Sequence, residues 1–212
     1  MTATVILCRH GNTFEKGDKV VMVGAREDLP LTQEGKAQAR RMAVAIESSG
    51  VVVDRVVCGP LQRTRLFGEL FVEELGEDLQ PKIDDRLVEL DYGVWGGLSD
   101  EEISERYGVG VLKAWSEQGI RPLEVSFSPS ADAVESEAWS LLEELGRKGG
   151  VSLVVTSNGR LREYGRLLGL KGRTSYKVRT GHACVLMLIG STWRILGWDL
   201  SPDLLVRGIA TR

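Results

Sequence analysis

Only two histidines occur in the 212 residues, and one of them, His10, stands between Arg9 and Gly11 directly after the apolar run Val5-Ile6-Leu7. An imidazole placed where a chain leaves a strand is either a hydrogen-bonded core residue or a functional group, and RHG alone does not separate the two. Arg63 changes the balance, because it lies about one turn into the helix expected after Gly59-Pro60, near a helix N-terminus that favours anions. Two guanidinium forks and that helix end could hold a phosphate group, and a neutral imidazole beside the phosphorus would then be a nucleophile. A third polar break, Ser157-Asn158-Gly159, closes the apolar run "VSLVVT". The Asn158 amide can donate a hydrogen bond to a phosphoryl oxygen but cannot carry positive charge.

The three breaks need a scaffold that brings them together. Apolar runs alternate along the chain with helical periodicity, which is the pattern of alternating strands and helices. Thr32 can cap a helix whose Ala39, Met42, Ala43 and Ile46 fall on one face. "VVVDRVVC" reads as a strand ending at Cys58, followed by a helix with Phe67, Leu70, Phe71 and Leu75 on one side. Val134 to Leu145 is helical and stops at Gly149-Gly150; the strand "VSLVVT" and a helix through Leu161, Tyr164 and Leu168 come next. "ACVLMLI" and "WRILGW" flank Gly190-Ser191-Thr192 as a hairpin at a sheet edge. Between about 84 and 130 the pattern loosens into loops and short polar helices, "SDEEISERYG" being the clearest, and is read as an insertion covering one edge of the sheet.

Uniformly apolar strands are covered by helices on both faces, so the expected fold is α/β: a three-layer α/β/α sandwich with a mainly parallel sheet, as one domain over residues 1–212. In such sheets the ligand lies beyond the carboxyl ends of the strands, which is where "CRHGNT", "CGPLQRTR" and "TSNGRLR" all fall.

Composition narrows the function further. A net charge of -3 gives no general attraction to nucleic acid or to anionic membrane, and no basic stripe accompanies the aromatic residues Tyr92, Trp95, Trp193 and Trp198, which are read as core and pocket wall. The first residues lack a basic segment followed by a long apolar one, and no later run approaches the ~18 apolar residues of a membrane span, so a cytoplasmic protein is expected. Cys8, Cys58 and Cys184 form no CxxC pair, and with so few histidines neither a metal site nor a cofactor is expected. The sequence lacks GxxxxGK[ST], GxGxxG and a G-x-S-x-G elbow. Arg63 and Arg65 are five and seven residues beyond Cys58, the wrong spacing for a Cys-x5-Arg phosphatase loop.

"LCRHGNT", "LPLTQEGKAQA", "CGPLQRTR" and "RLVELDYGVWGGLS", in this order, resemble the histidine phosphatase superfamily, the phosphoglycerate mutase-like proteins, over nearly the whole chain. The resemblance implies that His10 is transiently phosphorylated, that Arg9 and Arg63 bind the phosphoryl group, and that Glu89 donates a proton to the leaving group. It also implies a departure. Relatives carry Ser-His-Gly at the late strand end, where this chain has Ser157-Asn158-Gly159, so Asn158 replaces a second histidine and activity is expected to be weakened or lost. Asn158, Gly159 and Asn12 are placed with the two arginines as phosphate-binding positions, Asn12 standing where relatives have Glu or Gln. Gly96 and Asp132 are further departures, expected to alter pocket shape and substrate choice.

Two residues are assigned to the rim. His182 begins the first strand of the hairpin and could supply the missing imidazole, although a surface or core role is expected first; Arg26 could reach a second acidic group on a substrate, although a solvated loop arginine is simpler.

Two function classes follow. One is a metal-independent phosphomonoesterase acting on a small phosphorylated substrate. The other is a catalytically silent relative that binds a phosphorylated ligand or a partner in the same pocket. The first is preferred, because a site released from catalysis has no chemical need to keep nucleophile, both arginines and Glu89. A mutase ranks third, since such relatives carry a longer middle insertion and both histidines. Oligomerisation is left open.

Overall fold

Six strands form one sheet in the computed structural model, which describes residues 2–76, 78–170 and 175–205. They are β1 (Ala3–Arg9), β2 (Arg55–Cys58), β3 (Lys82–Ile83), β4 (Gly150–Thr156), β5 (Ala183–Ile189) and β6 (Thr192–Leu200), arranged in space as β3-β2-β4-β1-β5-β6. β1, β4, β2 and β3 run parallel, and the β5–β6 hairpin adds two antiparallel strands beside β1. The register sets Arg9 beside Thr156 and Cys58 beside Val155, so the loops leaving β1, β2 and β4 emerge on one edge.

Side-chain alternation along β1 builds a core on each face. Ile6 and Cys8 point to α1 (Gln33–Ser48) and α2 (Gln62–Leu75), meeting Met42, Phe67 and Phe71; Val5 and Leu7 meet Leu141, Leu142 and Leu161 of α5 (Ala131–Lys148) and α6 (Asn158–Leu167). The result is the expected α/β/α sandwich with a mostly parallel sheet. Thr32 caps α1 as its position suggests, its hydroxyl accepting from the Gly35 N–H at 3.0 Å.

Residues from Asp85 onward form two short 3-10 turns, Asp85–Leu87 and Gly93–Trp95, then α3 (Asp100–Tyr107) and α4 (Val109–Gln118). They share a third apolar cluster in which Phe127 makes edge contacts with Tyr92, Trp95 and Trp115 at ring separations of 5.1, 5.5 and 5.0 Å. Ser99 and Glu102 close a capping box on α3. Rather than flanking an edge strand, this segment stands over the carboxyl ends of the strands, and Leu112 and Trp115 line the same cavity as His10. α4 was not legible in the sequence; Gly108, at φ +94°, breaks the helical run between α3 and α4. β2 is shorter than "VVVDRVVC" suggests, because the Asp54 carboxylate turns back to accept the Val151 N–H at 2.6 Å before the ladder begins. No helix among the described residues is long and apolar enough to cross a membrane.

Candidate active site

His10 follows β1, and its backbone N–H donates to the Thr156 carbonyl of β4 at 3.1 Å. Its ring Nδ1 lies 2.7 Å from the Gly11 carbonyl oxygen. A carbonyl can only accept, so Nδ1 carries the proton and Nε2 keeps its lone pair. Burial, reinforced by the positive charges of Arg9 and Arg63, pushes the imidazole pKa well below its ordinary value. The ring is therefore neutral, the form a nucleophile needs. Gly11 allows the tight turn that places it: a Cβ there would stand 2.3 Å from the Gly35 carbonyl oxygen in the first turn of α1.

The two arginines are held by carbonyls rather than carboxylates. Arg9 Nη1 donates to Val178 O at 2.7 Å; Arg63, buried in α2, donates from Nη1 to Glu27 O at 2.7 Å and from Nη2 to Gly24 O at 3.1 Å. Neither has an ion-pair partner among the described residues, so their charge is available to an anion. Desolvation, and after it the nearby Arg162, lowers Arg9 to about 10, and desolvation also lowers Arg63; both remain cations at neutral pH. Arg9 Nε and Ser157 Oγ are buried without a hydrogen-bond partner among the described residues, an open demand at the same strand edge.

Glu89 is buried, and both of its oxygens are aimed. Oε1 accepts from the Leu90 N–H at 2.8 Å and Oε2 from the Gly159 N–H at 3.1 Å, while the Tyr92 hydroxyl also bonds to the carboxylate. Burial, then the Glu89 charge, pushes the Tyr92 phenol well above its usual value, so the hydroxyl stays a donor. Gly159 matters for its missing side chain: a Cβ would lie 2.4 Å from both Glu89 Oε1 and the Tyr92 hydroxyl.

Arg9, His10, Asn12, Arg63, Glu89 and Asn158 line one cavity of about 510 Å³. The Asn158 carboxamide oxygen accepts from the Val178 N–H at 3.0 Å, which leaves its NH2 group as the donor for a ligand. The Asn12 oxygen accepts from Gln38 Nε2 at 3.2 Å and from the Thr180 hydroxyl, so this side chain ties the loop to α1.

The remaining three expected positions lie elsewhere. Gly159 does not line the cavity, and its N–H is taken by Glu89, so it holds the carboxylate rather than phosphate. His182 is not among the residues that line the cavity: its Nδ1 lies 3.2 Å from both the backbone oxygen and Oδ1 of Asp199. Arg26 is likewise outside, an exposed side chain bonded to Asp91 at 2.7 Å.

Three cations in the wall, Lys16, Arg162 and Lys177, were missed in the sequence. Arg162 lies four residues beyond Asn158, on the same face of α6, a spacing that could have revealed it. Lys177 had no such signal, because only the tertiary fold brings its loop to the cavity mouth.

The model of the histidine phosphatase superfamily (branch 1) matches residues 5–200. A 2,3-bisphosphoglycerate-dependent phosphoglycerate mutase from Parvibaculum lavamentivorans is 32% identical over 116 residues, 54% of this chain and 54% of that protein. The chain thus spans about half the length of the curated relatives it matches. Among solved structures, a mycobacterial glucosyl-3-phosphoglycerate phosphatase superposes with a TM-score of 0.73 at 21% identity, covering 94% of this chain and 99% of the other. A phosphoglycerate mutase from Bacillus anthracis gives a TM-score of 0.75 at 13% identity over 100% of this chain and 97% of its own. These two likenesses establish a shared fold, and with the family match over nearly the whole sequence they identify the chain as a member of the histidine phosphatase superfamily.

Proposed function

We propose that this protein is a metal-independent phosphomonoesterase that works through a phosphohistidine at His10. The observation that carries this reading is a neutral His10, its Nδ1 proton committed to Gly11 and its Nε2 lone pair unused, sharing one cavity with two arginines that have no carboxylate partner among the described residues. Arg9, Arg63 and the Asn158 amide hold the phosphoryl oxygens. His10 Nε2 attacks phosphorus as the ester P–O bond breaks, and the departing alkoxide takes a proton from Glu89, which enters this step as the carboxylic acid and leaves it as the carboxylate. Water then attacks the phosphohistidine, with Glu89 accepting its proton, which restores the imidazole and releases phosphate.

Asn158 sets the expected speed. It offers a neutral donor where relatives present an imidazole, and losing one preorganised charged donor costs roughly a hundred- to a thousandfold in rate. The same feature is the one argument for a silent binder of phosphorylated ligands as the second reading. Phosphoglycerate mutase activity ranks below both, because a mutase uses two histidines and His182 faces Asp199.

A single experiment separates the first two readings. Purified protein in chelator is given an aryl phosphate, with and without vanadate, and is analysed for an acid-labile phosphohistidine. Turnover and label are expected, inhibited by vanadate and abolished in His10→Ala at unchanged circular dichroism. Phosphate binding with no turnover would leave the silent binder; turnover that survives in His10→Ala would refute the nucleophile.

A further inference from the structure

The cavity is charged beyond what one phosphoryl group needs. Arg162 is 6% exposed, donates from Nε to Ser116 O at 3.1 Å, and stacks its guanidinium 5.2 Å from the centre of the Trp115 ring. Those two contacts fix the plane of the guanidinium and leave its terminal nitrogens without a hydrogen bond or ion pair among the described residues. Lys177, at the mouth of the same cavity, also has no ion pair among them. Asp100 lies on this wall, outside ion-pair reach of both; Glu15, Lys16 and Glu34 line the cavity as well, Glu34 being paired with Arg41.

A buried guanidinium held rigid with no ion pair among the described residues, and with Glu89 and Asp100 acting on it only from a distance, is a costly arrangement, since such charges are normally paired. The positive charges that act on His10 are those of Arg9 and Arg63; Arg162 acts on Arg9 and Tyr92 and feels Glu89 and Asp100, and Lys177 feels Arg9 and Arg162. Arg162 is anchored to α4, in the wall built by the segment over the strand ends.

We infer that Arg162 and Lys177 form a second anion subsite, and that the natural ligand is a small phosphomonoester carrying another anionic group, a carboxylate or a second phosphate, on its leaving-group side. This inference rests on the phosphate site proposed above. Arg162 supplies planar, two-pronged recognition, and Lys177 adds a mobile point charge at the entrance.

Non-hydrolysable probes test it without requiring turnover. Propylphosphonate, 3-phosphonopropanoate and propane-1,3-bisphosphonate are titrated calorimetrically into wild-type protein, Lys177→Met, Arg162→Met and Arg162→Lys. Wild type is expected to bind at least one doubly anionic probe about tenfold or more tightly than propylphosphonate, and the preferred probe tells carboxylate from phosphate. Lys177→Met and Arg162→Met should each remove most of that advantage, with Arg162→Lys restoring part of it, as expected for charge-assisted bonds. Lys177 is exposed, so its variant reports on the subsite even if changes at Arg162 disturb Trp115. Equal binding of all three probes by wild type, or an advantage that survives in both methionine variants, would overturn the subsite. Failure of turnover with the advantage present would sink the phosphatase reading alone; turnover of simple aryl phosphates without the advantage would sink only the subsite.

Discussion

Charge at this site is arranged by single atoms. One backbone carbonyl, Gly11 O, selects the His10 tautomer, and one glycine, Gly159, makes room for Glu89 and Tyr92. Gly159→Ala keeps α6 intact in its backbone preference but drives a methyl group into the carboxylate. It should lower kcat by about a hundredfold, the scale of a displaced general acid, while phosphate affinity changes by less than tenfold. His10 also leaves a mark on stability. Its ordinary pKa is 6.5 and its folded pKa is well below that, so below about pH 6.5 the unfolded chain binds a proton that the folded chain refuses. Stability is therefore full above that pH and falls as pH drops, by about 1.4 kcal/mol per unit. Glu144, held at about 2 by Lys148 and Arg86, and Asp84, lowered by Arg86, lose their contributions only below the ordinary carboxylate range. Urea denaturation between pH 5 and 6.5 should thus show a shallower pH slope in His10→Gln than in wild type; equal slopes would mean the ring is not buried neutral.

Elements hold these atoms by their ends. Thr32 caps α1 and also ties it to the loop that carries His10, its N–H donating to Asn12 O at 2.9 Å. Thr32→Ala should cost about 1 kcal/mol, read as a lower urea midpoint at an unchanged m-value. α6 is pinned at several points: Arg121 donates from Nε to the buried Glu163 at 2.6 Å, and Arg160 donates from Nε to Val88 O at 2.6 Å and from Nη1 to Glu137 at 2.6 Å. The bonds to Arg121 and Val88 run from the helix that carries Asn158 and Arg162 to the segment that carries Glu89, and the one to Glu137 runs to α5, so the two walls of the cavity cannot drift apart independently.

At the scale of the molecule, the third apolar cluster poses the question of cooperativity. Its aromatic core shares no strand with the sheet, yet Glu89, Arg121 and Arg162 bind it to α6. Calorimetric unfolding should therefore give one transition, with van't Hoff and calorimetric enthalpies equal. A second, lower transition would show that the wall over the strand ends melts by itself.

The amino-acid pattern alone determined the layers, because strands buried on both faces must be apolar throughout and their helices must show a stripe: "VILC", "VSLVVT" and the Phe67-Leu70-Phe71 face each carry that signal locally. It also determined which side chains leave the strand ends, hence His10, Arg9, Arg63 and Asn158. What it could not contain was direction. His182 was named from the chain and Arg162 was not, yet a partner 17 residues away, Asp199, holds the first ring, whereas Trp115 and Ser116 of α4 hold the second side chain in the cavity wall. Such orientations depend on contacts between distant segments, which exist only once the layers have packed.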